Sequence, residues 1–251
     1  MRRRFLVIGI ILLFVCVSFN PSFAFYNPVS SSNTLYVGGS GEGNYTKIQD
    51  AINDAVDGDI VFVYDDSSPY YEHCTLRKSI RLIGENKETT IIDGMKSSWI
   101  VYIIDTNEVN INGFTFKNAQ SGVLIQSDNN IIKGNIFINN EIGIRLDFIA
   151  DSNKILGNIF RNNSNGILLN GYPGDRNIIK KNNFMNNTRD VYFNYVDRPM
   201  KNYWNNNYWN QPRLLPKPIH GTLYIAADLY HYTPFNWLNF DWRPALKPYD
   251  I

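Results

Sequence analysis

From Val109 to Phe193 the apolar residues come in short bursts, spaced two apart and broken by Asn or Gly. Four lines stack: "VNINGFTFKNAQSGVLI" from Val109, "NIIKGNIFINNEIGIRL" from Asn130, "NKILGNIFRNNSNGILL" from Asn153 and "NIIKKNNFMNNTRDVYF" from Asn177. One column reads Phe116, Phe137, Phe160, Phe184, and another, five residues earlier, Ile111, Ile132, Ile155, Ile179. The alternation is that of strands with one buried face. Lys117, Ile138, Arg161 and Met185 share one column, as a solvent-facing position allows.

The steps between the phenylalanines are 21, 23 and 24 residues. A short, nearly fixed period signals a solenoid. A leucine-rich repeat has a similar period but would show leucines at fixed spacing, whereas these lines carry Ile and Phe with Asn at the corners. Each line therefore predicts one coil of a parallel β-helix, with coils ~4.8 Å apart. At that spacing like stacks on like, and Asn118, Asn139, Asn162 and Asn186 form the expected asparagine ladder. Asn also tolerates the left-handed backbone of a tight corner.

A solenoid needs closed ends. In "YTKIQDAINDAVDG", Ile48, Ala51, Ile52, Ala55 and Val56 fall at helical spacing and predict a short helix over the first coil. Thr46 with Gln49 reads as its capping box, and Gly58 as its stop. "DIVFVYDD", "SIRLIGE" and "WIVYIID" continue the coils, about six or seven in all. From Lys201 onward the chain turns aromatic and proline-rich, which predicts a C-terminal cap over 201–251.

These lines resemble the repeats of right-handed parallel β-helix proteins, in particular the NosD-like group of the pectin-lyase-like superfamily. The stretch from "TLYVGGSGEGNYTKIQDAINDAVDGDIVFVY" resembles the group's first coils, and "NYWNNNYWNQPRLLPKPIHG" with "NFDWRPALKPYDI" the closing segment of some members. Many of that group are exported archaeal proteins. The resemblance implies an all-β solenoid over 35–200 and leaves activity open, because this fold hosts lyases, hydrolases, metal-delivery factors and adhesive proteins.

The first 24 residues have a basic start, "MRRR", a short apolar run and small residues up to Ala24, which predicts a secretory signal peptide followed by a linker over 25–34. The run is short for a membrane span, so a retained anchor is the lesser alternative. Removing the three arginines takes the net charge from +1 to −2, and no basic footprint for nucleic acid appears in the sequence. Cleavage would remove Cys16 and leave Cys74 alone, so no internal disulfide is expected.

Candidate chemistry is sparse. A polysaccharide lyase would need carboxylates for calcium and a base. Asp128, Asp147, Asp151, Asp175 and Asp197 supply the first, and Arg145, Arg161, Arg176, Lys180 and Lys181 the second, at offsets that differ from coil to coil. A hydrolase needs paired carboxylates. Asp57 with Asp59 and Asp65 with Asp66 are the close pairs, and both sit in turns.

Copper favours His, Cys and Met, but His73, His220, His231, Cys74, Met95, Met185 and Met200 are scattered, and Cys74 reads as a buried hydrophobe. Tyr203, Trp204, Tyr208 and Trp209 are the candidates for stacking on sugar rings. Their spacing allows one ring of each pair to pack down and the other to face solvent.

The resulting expectation is an exported or cell-surface β-helix that is non-catalytic and binds a polysaccharide or surface glycan, with no nucleic-acid partner and no cofactor. The alternative is a lyase or glycoside hydrolase of the same superfamily, which alone would bring calcium.

Overall fold

The structure is a computed structural model that describes residues 32–148, 150–172, 174–227 and 231–251. The expected signal peptide lies outside them. Three sheets, parallel except for the last strand of sheet C, which pairs antiparallel, build a right-handed β-helix. Sheet A has eight strands, from Thr34–Val37 to Tyr203–Asn205. Sheet B has six, from Ile91–Asp93 to Tyr208–Trp209. Sheet C has eight, from Cys74–Leu76 to the hairpin Lys217–Ala226 and Tyr232–Asp241.

Successive coils pair without slippage, so identical positions form inward columns. In sheet B, Ile92, Phe116, Phe137, Phe160, Phe184 and Trp209 stand in register. From Phe116 to Trp209 their ring centroids are 5.2, 5.0, 4.9 and 4.6 Å apart, and the tilt between planes falls from 21° to 6°. In sheet A the inward column Leu82, Ile111, Ile132, Ile155, Ile179 ends on Trp204. Gly143 is required beneath this core: a Cβ there would lie 2.6 Å from the Gly166 carbonyl and 2.7 Å from the Phe160 ring.

The corners explain the asparagine. Asn118, Asn139, Asn162 and Asn186 have φ of 62°, 56°, 58° and 54°, so they make the left-handed bend between sheets B and C. They are not the main ladder. That role falls to the next residue: Asn140 gives its Nδ2–H to the Phe116 carbonyl and accepts the Ala119 N–H, and Asn163 and Asn187 repeat the pattern. The next residue points inward, where the coil above and below supply partners.

Two further ladders lie at the other corners. Asn130, Asn153, Asn177 and Asn202 form one, and Asn135, Asn158, Asn182 and Asn207 the other. The second ends on the Asp241 carboxylate, whose Oδ2 accepts the Asn207 N–H at 3.0 Å and the Trp209 Nε1–H at 3.1 Å.

Both ends differ in detail from the sequence expectation. The helix spans Ile48–Asp54 and buries Ile48, Ala51 and Ile52 against the core, with Ala55 beyond it, while Val56 is exposed. No capping box forms from Thr46 and Gln49. Instead Glu72, from a different coil, accepts the Ile48 and Gln49 N–H groups at 3.0 and 3.2 Å. A whole carboxylate outcompetes a local hydroxyl there. Gly58 lies past the helix stop and turns, at φ 92°, into the next strand.

At the other end the sequence repeat fades after Lys201, yet Tyr203–Asn205, Tyr208–Trp209 and Lys217–Ala226 add one more coil. The coils therefore number eight rather than six or seven. Trp replaces Ile and Phe in that coil because it must close the core as well as fill it.

Candidate functional site

The sites are built from side chains that point away from these columns. At the C-terminal end a cleft of about 450 Å³ opens between sheet A and the hairpin. Tyr203 and Trp242 stand on it 56% and 69% exposed, with Phe240 beside Trp242 at 5.0 Å between ring centroids. Asn202, Asn205, Asn239 and Arg243 add polar groups. Strand parity sets the outcome for the four aromatic candidates: Tyr203 faces out, while its neighbour Trp204 is buried and heads the isoleucine column. Tyr208 is half-buried, and Trp209 is buried on Phe184. Of the four, Tyr203 and Trp204 line the cleft and Tyr208 and Trp209 do not. Phe240 comes from the hairpin and Trp242 directly follows it, and no periodicity in the sequence ties them to Tyr203.

The carboxylates are occupied elsewhere. Asp128, Asp151 and Asp175 stand in register at the corner leading into sheet A. Asp128 Oδ1 accepts the Asp151 N–H at 2.7 Å, Asp151 Oδ1 the Asp175 N–H at 2.5 Å, and Asp175 Oδ1 the Lys201 N–H at 2.7 Å. Arg176 and Arg198 hold the other oxygens of Asp151 and Asp175 at 3.1 and 2.8 Å. Burial opposes ionisation of Asp175, and its bonds to Arg198 and the Lys201 N–H outweigh it, leaving the carboxyl below its ordinary range.

Asp147 pairs with Arg145 at 2.8 Å on sheet C, and Asp197 accepts the Tyr172 hydroxyl. Arg161 projects from sheet B, Lys180 from sheet A, and Lys181 sits in a left-handed corner. These bases therefore point from different faces. The N-terminal pairs are turn chemistry: Asp59 accepts the Asn33 and Val56 N–H groups, and Asp57 that of Ser79. Asp66 accepts the Gly39 N–H and Asp65 the Thr89 hydroxyl.

The soft donors do not converge. Cys74 is inside, in line with Val101 and Val123, while His73, His220 and His231 are exposed. Among the described residues no three His, Cys, Asp or Glu side chains come together as a metal cluster. Burial, and to a lesser degree Glu72, pushes the Cys74 thiol up from its ordinary value. A thiol reagent should leave native protein unlabelled and react once the chain is unfolded in urea. Fast labelling of native protein would contradict the inward placement.

Compared with known proteins, residues 27–225 match the profile of a family described as "Periplasmic copper-binding protein (NosD)". No curated protein matches the chain. Among solved structures, the alginate lyase from Paenibacillus sp. str. FPU-7 is similar at 13% identity, over 72% of this chain and 88% of that one, with a TM-score of 0.33.

Proposed function

The chain belongs to the NosD family, and from that premise we propose that it is an exported solenoid that binds glycans without transforming them, at the aromatic cleft of its C-terminal end. The observation that carries this is the exposure of Tyr203 and Trp242 on one cleft whose remaining lining combines three amides and a guanidinium with Trp204, Leu238 and Phe240. An exposed aromatic face suits the C–H face of a sugar, and neighbouring amides suit its hydroxyls. The non-catalytic half rests on the carboxylates, which are tied to backbone N–H groups of the next coil rather than left free in pairs. Export rests on the N-terminal pattern and on the family's periplasmic description.

Copper does not enter the proposal. The family's description names it, but the soft donors of this chain are divided between the interior and separate exposed positions. No step is assigned to the metal.

Affinity electrophoresis against cell-wall and mucin-type polysaccharides tests the reading. Trp242→Ala should abolish retention and leave the melting temperature unchanged, because that ring is mostly exposed. Trp204→Ala should cost about 3–5 kcal/mol, as large core truncations do. Wild-type protein that is retained by no glycan would overturn the proposal, as would release of reducing or unsaturated ends on incubation.

A further inference from the structure

Sheet A presents two outward columns along the whole solenoid, and their charges are one-sided. Arg81, Lys133, Lys154 and Lys180 project from it, and no Asp or Glu stands in either column. Composition does not explain this, since the chain beyond Arg4 is net negative at −2. Nor are the charges neutralised by neighbours. Among the described residues no ion pair engages Arg81, Lys133, Lys154 or Lys180.

Where sheet A bends into sheet B, the same face falls into a groove of about 880 Å³ that adds Lys181, and also Lys87, which is paired with Glu88 at 3.5 Å. Its floor includes Gly134 and Gly157, above which a Cβ would meet nothing within 4 Å. Glu85 and Ile251 also line it, and Glu85 Oε2 is engaged by the Asp65 N–H at 3.0 Å.

Resting on the glycan-binding reading, we propose that this face is a cationic track for an anionic polysaccharide lying along the solenoid axis. From Arg81 to Lys180 the track spans four coil steps, about 19 Å at ~4.8 Å each. The next coil leads to the aromatic cleft, because Ile178 pairs with Tyr203 and Lys180 with Asn205. One extended chain therefore meets cations first and aromatic rings at its end. Lysine suits carboxylate and sulfate alike as a point charge, so the class is fixed by charge rather than by one substituent.

The test uses the full chain and four probes: polygalacturonate for carboxylate, dextran sulfate for sulfate, unmodified dextran as the neutral backbone, and a single-stranded oligonucleotide. Binding of polygalacturonate or dextran sulfate, stronger than of dextran, is expected, and it should weaken as salt rises from about 0.05 to about 0.5 M. Lys133→Gln/Lys154→Gln/Lys180→Gln should lose about tenfold or more. Lys47→Gln/Lys96→Gln/Lys201→Gln, the same charge change at exposed lysines outside the two columns, should keep wild-type affinity. Melting curves of both triple variants should match wild type.

Equal loss in the two triple variants, no preference over dextran, or tighter binding of the oligonucleotide would each overturn the track. If neutral glycans bind through Trp242 while polyanions do not, the aromatic cleft stands and the track falls. If polyanions bind through the three lysines and Trp242→Ala changes nothing, the track stands and the cleft falls.

Discussion

Phe160→Ala should lower the unfolding free energy by about 3–5 kcal/mol, while Arg161→Ala, one residue along, should change it by ~0.5 kcal/mol or less. Phe160 is fully buried, with ring centroids of Phe137 and Phe184 at 5.0 and 4.9 Å. Its removal opens a gap in the middle of a stack. The neighbouring rings cannot close it, because backbone pairing holds Phe137, Phe160 and Phe184 in register. Arg161 leaves the same strand on the solvent side and has no ion pair among the described residues. Urea unfolding reads the outcome as a lower midpoint at unchanged slope. Equal shifts for the two variants would mean that the strand faces the other way.

Much of this fold was legible because a solenoid repeats its own evidence. The phenylalanine column and the isoleucine column both lie where the stacked lines put them. The ladder was misplaced by one residue, and the cause is local. In "NN" at 139–140, the first asparagine bends the backbone and the second bonds to the next coils, so the letters alone do not separate the roles. The corner between sheets A and B did carry the distinction. There the bending residue is Gly134, Gly157 or Lys181, and the constant residue after it is Asn135, Asn158 or Asn182.

Contacts made at a distance were not legible. Glu72 reaches the helix from a separate coil, and Trp242, just past a hairpin that has no counterpart in the repeat, lines the same cleft as Tyr203. The outward face of sheet A was readable only once register was known, since Arg81, Lys133, Lys154 and Lys180 occupy two different columns.

The ladder yields the second large effect, at Asn158. Its Oδ1 accepts both the N–H and the Nδ2–H of Asn135, at 3.0 and 3.2 Å, and its Nδ2 donates to the Ile132 carbonyl at 2.8 Å and to Asn182 Oδ1 at 3.2 Å. The residue is fully buried. Asn158→Leu removes all four of these bonds and leaves the buried Asn135 N–H without its acceptor, while Asn135 Nδ2 keeps the Ile111 and Lys133 carbonyls and Asn182 Oδ1 keeps the backbone N–H of residue 158. It should cost about 3 kcal/mol.

Asn158→Asp separates hydrogen bonding from shape. One carboxyl oxygen can still accept from Asn135, but the other would face the Ile132 carbonyl and Asn182 Oδ1, acceptors against an acceptor. The fold therefore favours the protonated acid, which can donate, and raises the carboxyl above its unfolded value of ~3.9. An acid with a raised folded value loses stability as pH rises through that value, because the unfolded chain releases the proton more easily. Relative to wild type, the Asp variant should be least impaired near about pH 4 and progressively worse toward about pH 7. The Leu variant should show a deficit independent of pH. Melting temperatures measured across that range decide it, and parallel curves for the two variants would show that water reaches the ladder.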